Sequence, residues 1–273
     1  MDRFQFCAGL LGGAALAALP ATAFPQAAPA QRLDIARATD MAGRLRMLSQ
    51  RCTKAYLQWG QSIASEKART LLRESIALYE AHLAALKGFQ PNPAVQASLP
   101  QLHTLWSQFK ALLIGEPNRT GAASLYDANE SLQSAAHYLT VSYANTTGSA
   151  LEHLLGLAGR QRMLSQRMAK FFFYRTWELF EAPADMELHL SRAHFTAVLT
   201  QLETSLHANP AVQAAATRMR RAWEPHQQAL FASKDITVMR ANAEQVAEGS
   251  ERVLAAAEEV VALLVAQAQT KPA

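Results

Sequence analysis

Six arginines, set in two copies of one thirteen-residue run, are the side chains of this chain best suited to chemistry. Residues 42–54 read AGRLRMLSQRCTK and residues 158–170 read AGRQRMLSQRMAK, with ten of thirteen positions identical at an offset of 116. On a helical wheel Gly43, Met47, Gln50 and Lys54 share one side, with Arg46 on one edge and Arg44 and Arg51 on the other. Met41, Leu45, Leu48, Cys52, Ala55 and Trp59 share the opposite side, which reads as core-facing. The changes between copies, Leu45 to Gln161, Cys52 to Met168 and Thr53 to Ala169, fall on or beside that core side. The other surface returns whole as Gly159, Arg160, Arg162, Met163, Gln166, Arg167 and Lys170. Solvated surfaces tolerate substitution, so a face kept twice has a second contact. Glycine beside methionine lets another helix approach closely. Arginines flanking that approach repel unless something negative lies between them, and a guanidinium fork grips a planar oxyanion by paired hydrogen bonds. The spacing describes a helix–helix interface that closes on a small anion. The plainer alternative is that the arginines pair with carboxylates on neighbouring helices.

Other chemistry finds little support. His189 and His194 are five apart and share no helical face. No Glu-x-x-His pair, Cys-x-x-Cys-His or His-Glu-x-x-His run occurs. No nucleophile–base arrangement, phosphate loop or catalytically spaced carboxylate pair stands out. The expectation is a binding protein, not an enzyme, with no metal and no cofactor. Cys52 reads as a small buried apolar residue, and Trp106, Trp223 and Phe171 to Tyr174 as core.

The elements that hold these arginines are helices. Apolar residues recur at helical spacing throughout, with no alternating strand pattern of useful length. Helices are predicted near 33–59, 64–89, 93–114 and 120–146, and again near 150–181, 184–207, 210–231 and 236–268. The fold class is all-α: two tandem antiparallel four-helix bundles over 33–146 and 149–269. The repeat extends past the motif. Asn92 to Ala97 returns as Asn209 to Ala214, Trp106 as Trp223, and Ala128-Asn129 aligns with Ala241-Asn242. Asn92 and Asn209 suit N-caps, each followed by a proline at the first helical position.

The join at Asn145 to Ser149 decides how the motifs meet. It lacks proline, and an apolar seam through Leu139, Tyr143, Thr146, Ala150, Leu154 and Leu157 favours one long continuous helix. Ser149-x-x-Glu152 has the form of a capping box, which favours a fresh start. The continuous helix is the expectation. It sets the motif levels roughly 40 Å apart at 1.5 Å per residue, so each would need a counterpart in a parallel homodimer. A join that folds back would lay both motif helices side by side in one chain.

Residues 1–23 read as an export signal: Arg3, an apolar stretch from Phe4 to Leu19, then Ala21-Thr22-Ala23 as a cleavage site. Export and cleavage place the remainder in the periplasm. Cys52 is then the one remaining cysteine, so no intrachain disulfide forms. A net charge of +4 suits a small anion and argues against nucleic acid as partner. No segment after the signal is expected to span a bilayer, since Val260 to Ala266 is apolar but too short. With the chain ending at Ala273, no kinase or methyl-accepting output module is expected.

The motif resembles the N-terminal ligand-binding module of type IV pilus methyl-accepting transducers (PilJ type) and the periplasmic sensor domain of NarX-type nitrate/nitrite sensor kinases. Ala42-Gly43-Arg44-Leu45-Arg46-Met47 with Ser49 and Arg51, and Ala158-Gly159-Arg160-Gln161-Arg162-Met163 with Ser165 and Arg167, carry the likeness. The resemblance implies a four-helix bundle that dimerises through its first helix. It implies nitrate contact by Arg46 and Arg162, with Arg51 and Arg167 as the motif's second arginines. Gly43, Gly159, Met47 and Met163 complete the expected binding surface. The expected partners are a small inorganic anion, nitrate or nitrite, and a membrane-bound receptor or sensor kinase. The alternative is a ligand-free adaptor that docks its motif surface on a helical chemoreceptor or sensor kinase.

Overall fold

Nine helices form among residues 33–270, the part of the chain that the computed structural model describes. In the first repeat they are α1 (Ile35–Gly60), α2 (Ser65–Lys87), α3 (Pro93–Leu112) and α4 (Arg119–Ala144). In the second they are α5 (Ala150–Thr176), α6 (Glu181–Thr204), α7 (Pro210–Leu230), α8 (Ile236–Ala241) and α9 (Ala243–Thr270). The expected all-α fold of tandem helical bundles is the one observed; the second repeat's fourth helix is interrupted at Asn242, which caps α8. The proposed signal segment lies outside the described residues.

Local chemistry fixes the boundaries. Asn92 and Asn209 cap α3 and α7, accepting from the N–H groups of Val95 (2.9 Å) and Val212 (3.0 Å), with proline next in each case. Asn118 and Asp235 cap α4 and α8 in the same way.

The continuous helix across the join is not formed. α4 ends at Ala144, Gly148 takes φ +64°, and Ser149 Oγ accepts from the Glu152 N–H (3.1 Å) to start α5. The left-handed backbone at Gly148 suits a residue without Cβ, and the capping box outweighs the apolar seam. Asn92 Nδ2 reinforces the break by donating to Ser142 O (3.0 Å) and Thr146 Oγ1 (2.9 Å). The chain therefore folds back, and the 40 Å separation of the motifs does not arise.

Folding back puts α1 and α5 at the centre, packed on each other. α2 and α4 flank α1, α6 and α9 flank α5, and α3 and α7 lie behind α4 and α9. Trp106 stacks on Tyr79 at 3.7 Å between ring centroids, and Trp223 packs on Phe195 at 4.4 Å. Each tryptophan thus anchors helix three to helix two of its own repeat. Phe171, Phe172, Phe173 and Tyr174 are all buried, as is Cys52, whose thiol is pushed up by burial. α9 is long and apolar enough to cross a membrane by length and composition, which corrects the expectation drawn from Val260 to Ala266. Its Val253, Ala257, Val260, Val261 and Leu264 are buried in the helix assembly.

Candidate anion-binding site

The face that both motif copies keep is kept because it meets its own copy. α1 and α5 run parallel and in register: Gln61 Nε2 donates to Phe173 O (3.0 Å), and Thr176 Oγ1 donates to Gln61 Oε1 (2.7 Å). Gly43, Met47, Gln50 and Lys54 are buried, as are Gly159, Met163, Gln166 and Lys170. The parallel pairing expected between two chains is made inside one. The glycines make room for it. A Cβ on Gly43 would lie 3.3 Å from Arg162 Nη2 and 3.4 Å from Arg46 Nη2; one on Gly159 would lie 3.5 Å from each. Both guanidinium heads sit where those methyl groups would press.

Two turns further on, the repeats cross over. Lys54 on α1 donates to Ser250 Oγ (2.9 Å) and pairs with Glu251 on α9. Lys170 on α5 donates to Asn129 Oδ1 (2.8 Å) and Glu130 (2.7 Å) on α4. Arg51 pairs with Glu251, and Arg167 with Glu130 (2.8 Å) and Glu187 (2.9 Å). Burial raises Glu130 and Glu251, but their cations more than reverse this and hold each near 2. Arg51 and Arg167 are therefore committed to carboxylates, as in the plainer reading, and not to a ligand. The crossing also fixes the true register of the fourth helices. Asn129-Glu130 corresponds to Ser250-Glu251, an offset of 121, and not to an alignment with Ala241-Asn242.

At the glycine level the symmetry fails. Arg162 pairs with Asp40 (2.7 Å) and with Glu258 (3.0 Å), and Arg44 contacts the same two, Asp40 at 3.2 Å and Glu258 at 2.9 Å. Burial lowers Arg162, but Asp40 and Glu258 more than reverse it, so its net shift is upward. At the motif offset, Asp40 corresponds to Gly156; at the fourth-helix offset, Glu258 corresponds to His137. Arg46 consequently meets no carboxylate among the described residues. Its Nη1 donates to His137 Nδ1 (3.1 Å), and its Nε and Nη2 have no partner, although the residue is only 2% exposed. Burial, then Arg162 and Arg160, push it down to about 9, so it is still a cation at neutral pH. His137 is lowered by burial and by Arg46 and Arg160, which keeps its ring neutral and able to accept. Arg160, the copy of Arg44, has no ion pair among the described residues.

Arg46, Arg160, His137 and Gly156 line a cavity of about 330 Å³, with Thr140, Val141, Ala144 and Leu157 among its walls. Glu152 also lines it, pushed up by burial and opposed only by the Ser149 cap; neither arginine is among the groups that shift it. An unpaired buried cation is costly, on the order of several kcal/mol even after relaxation and water penetration. A small anion in this cavity is what the free donors fit. No metal-ligating cluster of three His, Cys, Asp or Glu side chains occurs among the described residues.

The structure thus brings together Gly43, Gly159, Arg46 and Arg162, with Met47 and Met163 packed into the same helix pair, and sets Arg51 and Arg167 apart in ion pairs. Sequence reasoning missed Asp40, Glu258, His137 and Gly156. The change from Asp40 to Gly156 lies two residues before the matched run at the same offset, so it was within reach; the change from Glu258 to His137 needed the fourth-helix register.

The family profile for the N-terminal region of type IV pili methyl-accepting chemotaxis transducers, PilJ, matches residues 29–134 and 143–261. Neither the curated proteins nor the solved structures give a match. The two matched stretches cover most of the chain and each contains one copy of the arginine motif, and the chain belongs to the PilJ family as a tandem pair of its modules.

Proposed function

We propose that this chain is an exported sensor protein that holds one small oxyanion, nitrate or nitrite in first place, at Arg46 and passes the bound state to a membrane-bound receptor or sensor kinase. Modules of the family typically lie in the periplasm and belong to chemotaxis signalling, and a signal cleaved near residue 23 is part of the same reading. The observation that carries it is a buried arginine that lines a cavity and has two guanidinium nitrogens, Nε and Nη2, without a partner. The ligand forms hydrogen bonds and undergoes no reaction. Parallel pairing of α1 with α5 makes the site within one chain, so a homodimer is not required to build it. The adaptor alternative loses the docking surface first assigned to it, because the motif face is buried against the second repeat; a partner engages the outside of the helix assembly.

Calorimetric titration with nitrate and nitrite, for the natural chain and for Arg46→Ala, tests this. A charged hydrogen bond to the ligand contributes about 1.5–3 kcal/mol, so loss of Arg46 weakens binding at least tenfold. Equal binding by Arg46→Ala defeats Arg46 as the anion site, and no response of the natural chain to nitrate or nitrite removes those two ions as its ligand.

A further inference from the structure

We propose that the oxyanion is the carboxylate of a small organic acid whose short apolar body lies along Leu157, Val141 and Ala144; this rests on the reading of Arg46 as the anion site. The other half of the molecule serves as the template. There the Asp40 side chain, a methylene bearing a carboxylate, bridges Arg162 Nη2 and Arg44 Nε. The matching atoms on the open side belong to Arg46, whose Nη2 is unpartnered, and to Arg160. The matching side chain is missing, because Gly156 stands where Asp40 would be. A Cβ built on Gly156 meets nothing within 4 Å. At the place of Asp40 the open half therefore lacks a CH₂–COO⁻ group in volume and hydrogen-bonding capacity, and the Glu152 carboxyl on the same cavity wall, raised by burial and shifted by neither arginine, does not replace it.

His137 already fills the place of Glu258. Its Nδ1 takes the Nη1 donor of Arg46 at 3.1 Å, as Glu258 takes that of Arg162 at 3.0 Å. One carboxylate is thus called for, not two. The rest of the cavity argues for a body attached to it. A four-atom inorganic oxyanion occupies a small part of about 330 Å³, and much of the remaining wall is apolar. A short alkyl chain leaving the carboxylate over Gly156 reaches Leu157 on the same helix and Val141 and Ala144 on α4.

The test is calorimetric titration of the whole chain with acetate, propanoate, butanoate and hexanoate, and with nitrate, at fixed ionic strength. The expected result is one site per chain, with affinity rising about fourfold per methylene while methylenes are buried, so that butanoate binds at least tenfold tighter than acetate. Gly156→Asp supplies the carboxylate from within and abolishes this binding, with a rise in melting temperature. Asp40→Gly opens the twin seat and raises the stoichiometry towards two. Nitrate binding with no gain along the carboxylate series overturns this inference and leaves the anion site standing. Binding of neither nitrate nor any carboxylate overturns both. A folded Gly156→Asp chain that binds butanoate as the natural chain does also overturns it. If that variant fails to fold, the chain-length series on the natural chain decides alone.

Discussion

Arg162 and Arg46 hold equivalent places in two copies of one motif, yet the first lies between two carboxylates and the second faces an open cavity. Nothing inside the motif explains this, because both copies keep the same arginines, glycine and methionine. The difference lies in two residues outside it: Asp40 against Gly156, and Glu258 against His137. In one half the chain supplies its own anions and the arginine becomes part of the fold. In the other the same arginine is held in place by the same scaffold with donors left over. Duplication within a single chain permits this, since two copies joined in one polypeptide diverge independently, whereas a homodimer repeats every change.

The largest effect tests the part that stayed symmetric. Glu130→Gln strips Lys170 of its carboxylate, and Glu251→Gln does the same to Lys54; both lysines are fully buried. Removing one partner of a buried pair costs about 3–5 kcal/mol, so each variant is expected to melt well below the natural chain, by similar amounts. Chemical denaturation measures this. One variant destabilised and the other neutral would mean that the halves differ throughout and not at one level.

Next comes the asymmetric level itself. Arg162→Ala leaves Asp40 and Glu258 with Arg44 alone and is expected to destabilise by about 2–4 kcal/mol. Arg46→Ala removes a buried cation that has no carboxylate and is expected to be neutral or mildly stabilising, while losing anion binding. This departs from what the motif alone suggests, which is that either arginine can be removed without harm to the fold. Melting curves of the two variants side by side decide it, and equal losses would erase the distinction drawn between the halves.

Much of this arrangement was legible in the sequence. Asn92, Asn209, Asn118 and Asp235 announce their helices because capping is a local matter. The duplicated face announced a helix–helix contact, since only a contact holds glycine and methionine in place on an otherwise polar surface. What was not legible depended on long range. The join was misread because an apolar seam and a capping box competed over five residues, and the position of Asn92 Nδ2 against the end of α4 helped to settle it. Which arginine keeps a free donor depended on α9, more than ninety residues from Arg162, so no local pattern showed it.

A third test uses pH. His137 is lowered by burial and by Arg46 and Arg160. An anion beside those arginines offsets their field and raises the histidine, so binding takes up protons. Affinity therefore rises as pH falls from above the bound-state value of His137 to below its free-state value, and levels off beneath that. Each unit of upward shift corresponds to about tenfold in affinity. His137→Gln is expected to flatten this slope. The twin half offers the contrast: Asp40 is raised by burial but lowered on balance by Arg162 and Arg44, so its ion pairs stabilise the fold above the ordinary carboxylate range and weaken only as pH falls through its lowered value. A slope that survives His137→Gln would assign the proton to another group.

The smallest effect compares the two glycines. Alanine in a helix is favoured over glycine by up to about 1 kcal/mol, so each substitution begins with a gain. At Gly159 the new methyl group meets Arg46 Nη2 and Arg162 Nη2 at 3.5 Å, an ordinary contact, and the gain is expected to survive as about 0.5–1 kcal/mol. At Gly43 the approach is closer, 3.3 Å from Arg162 Nη2. That guanidinium is held by Asp40 and Glu258 and yields less readily than a free one. The gain is therefore expected to be cancelled at Gly43, leaving stability unchanged or slightly reduced. The difference of roughly half a kcal/mol is measurable in denaturant titrations run in parallel. Its sign carries the information, because both methyl groups meet both guanidinium groups and differ mainly in how closely they press on Arg162, the one fixed by carboxylates. Gly43→Ala more stable than Gly159→Ala would mean that the ion pairs of Arg162 do not hold it in place.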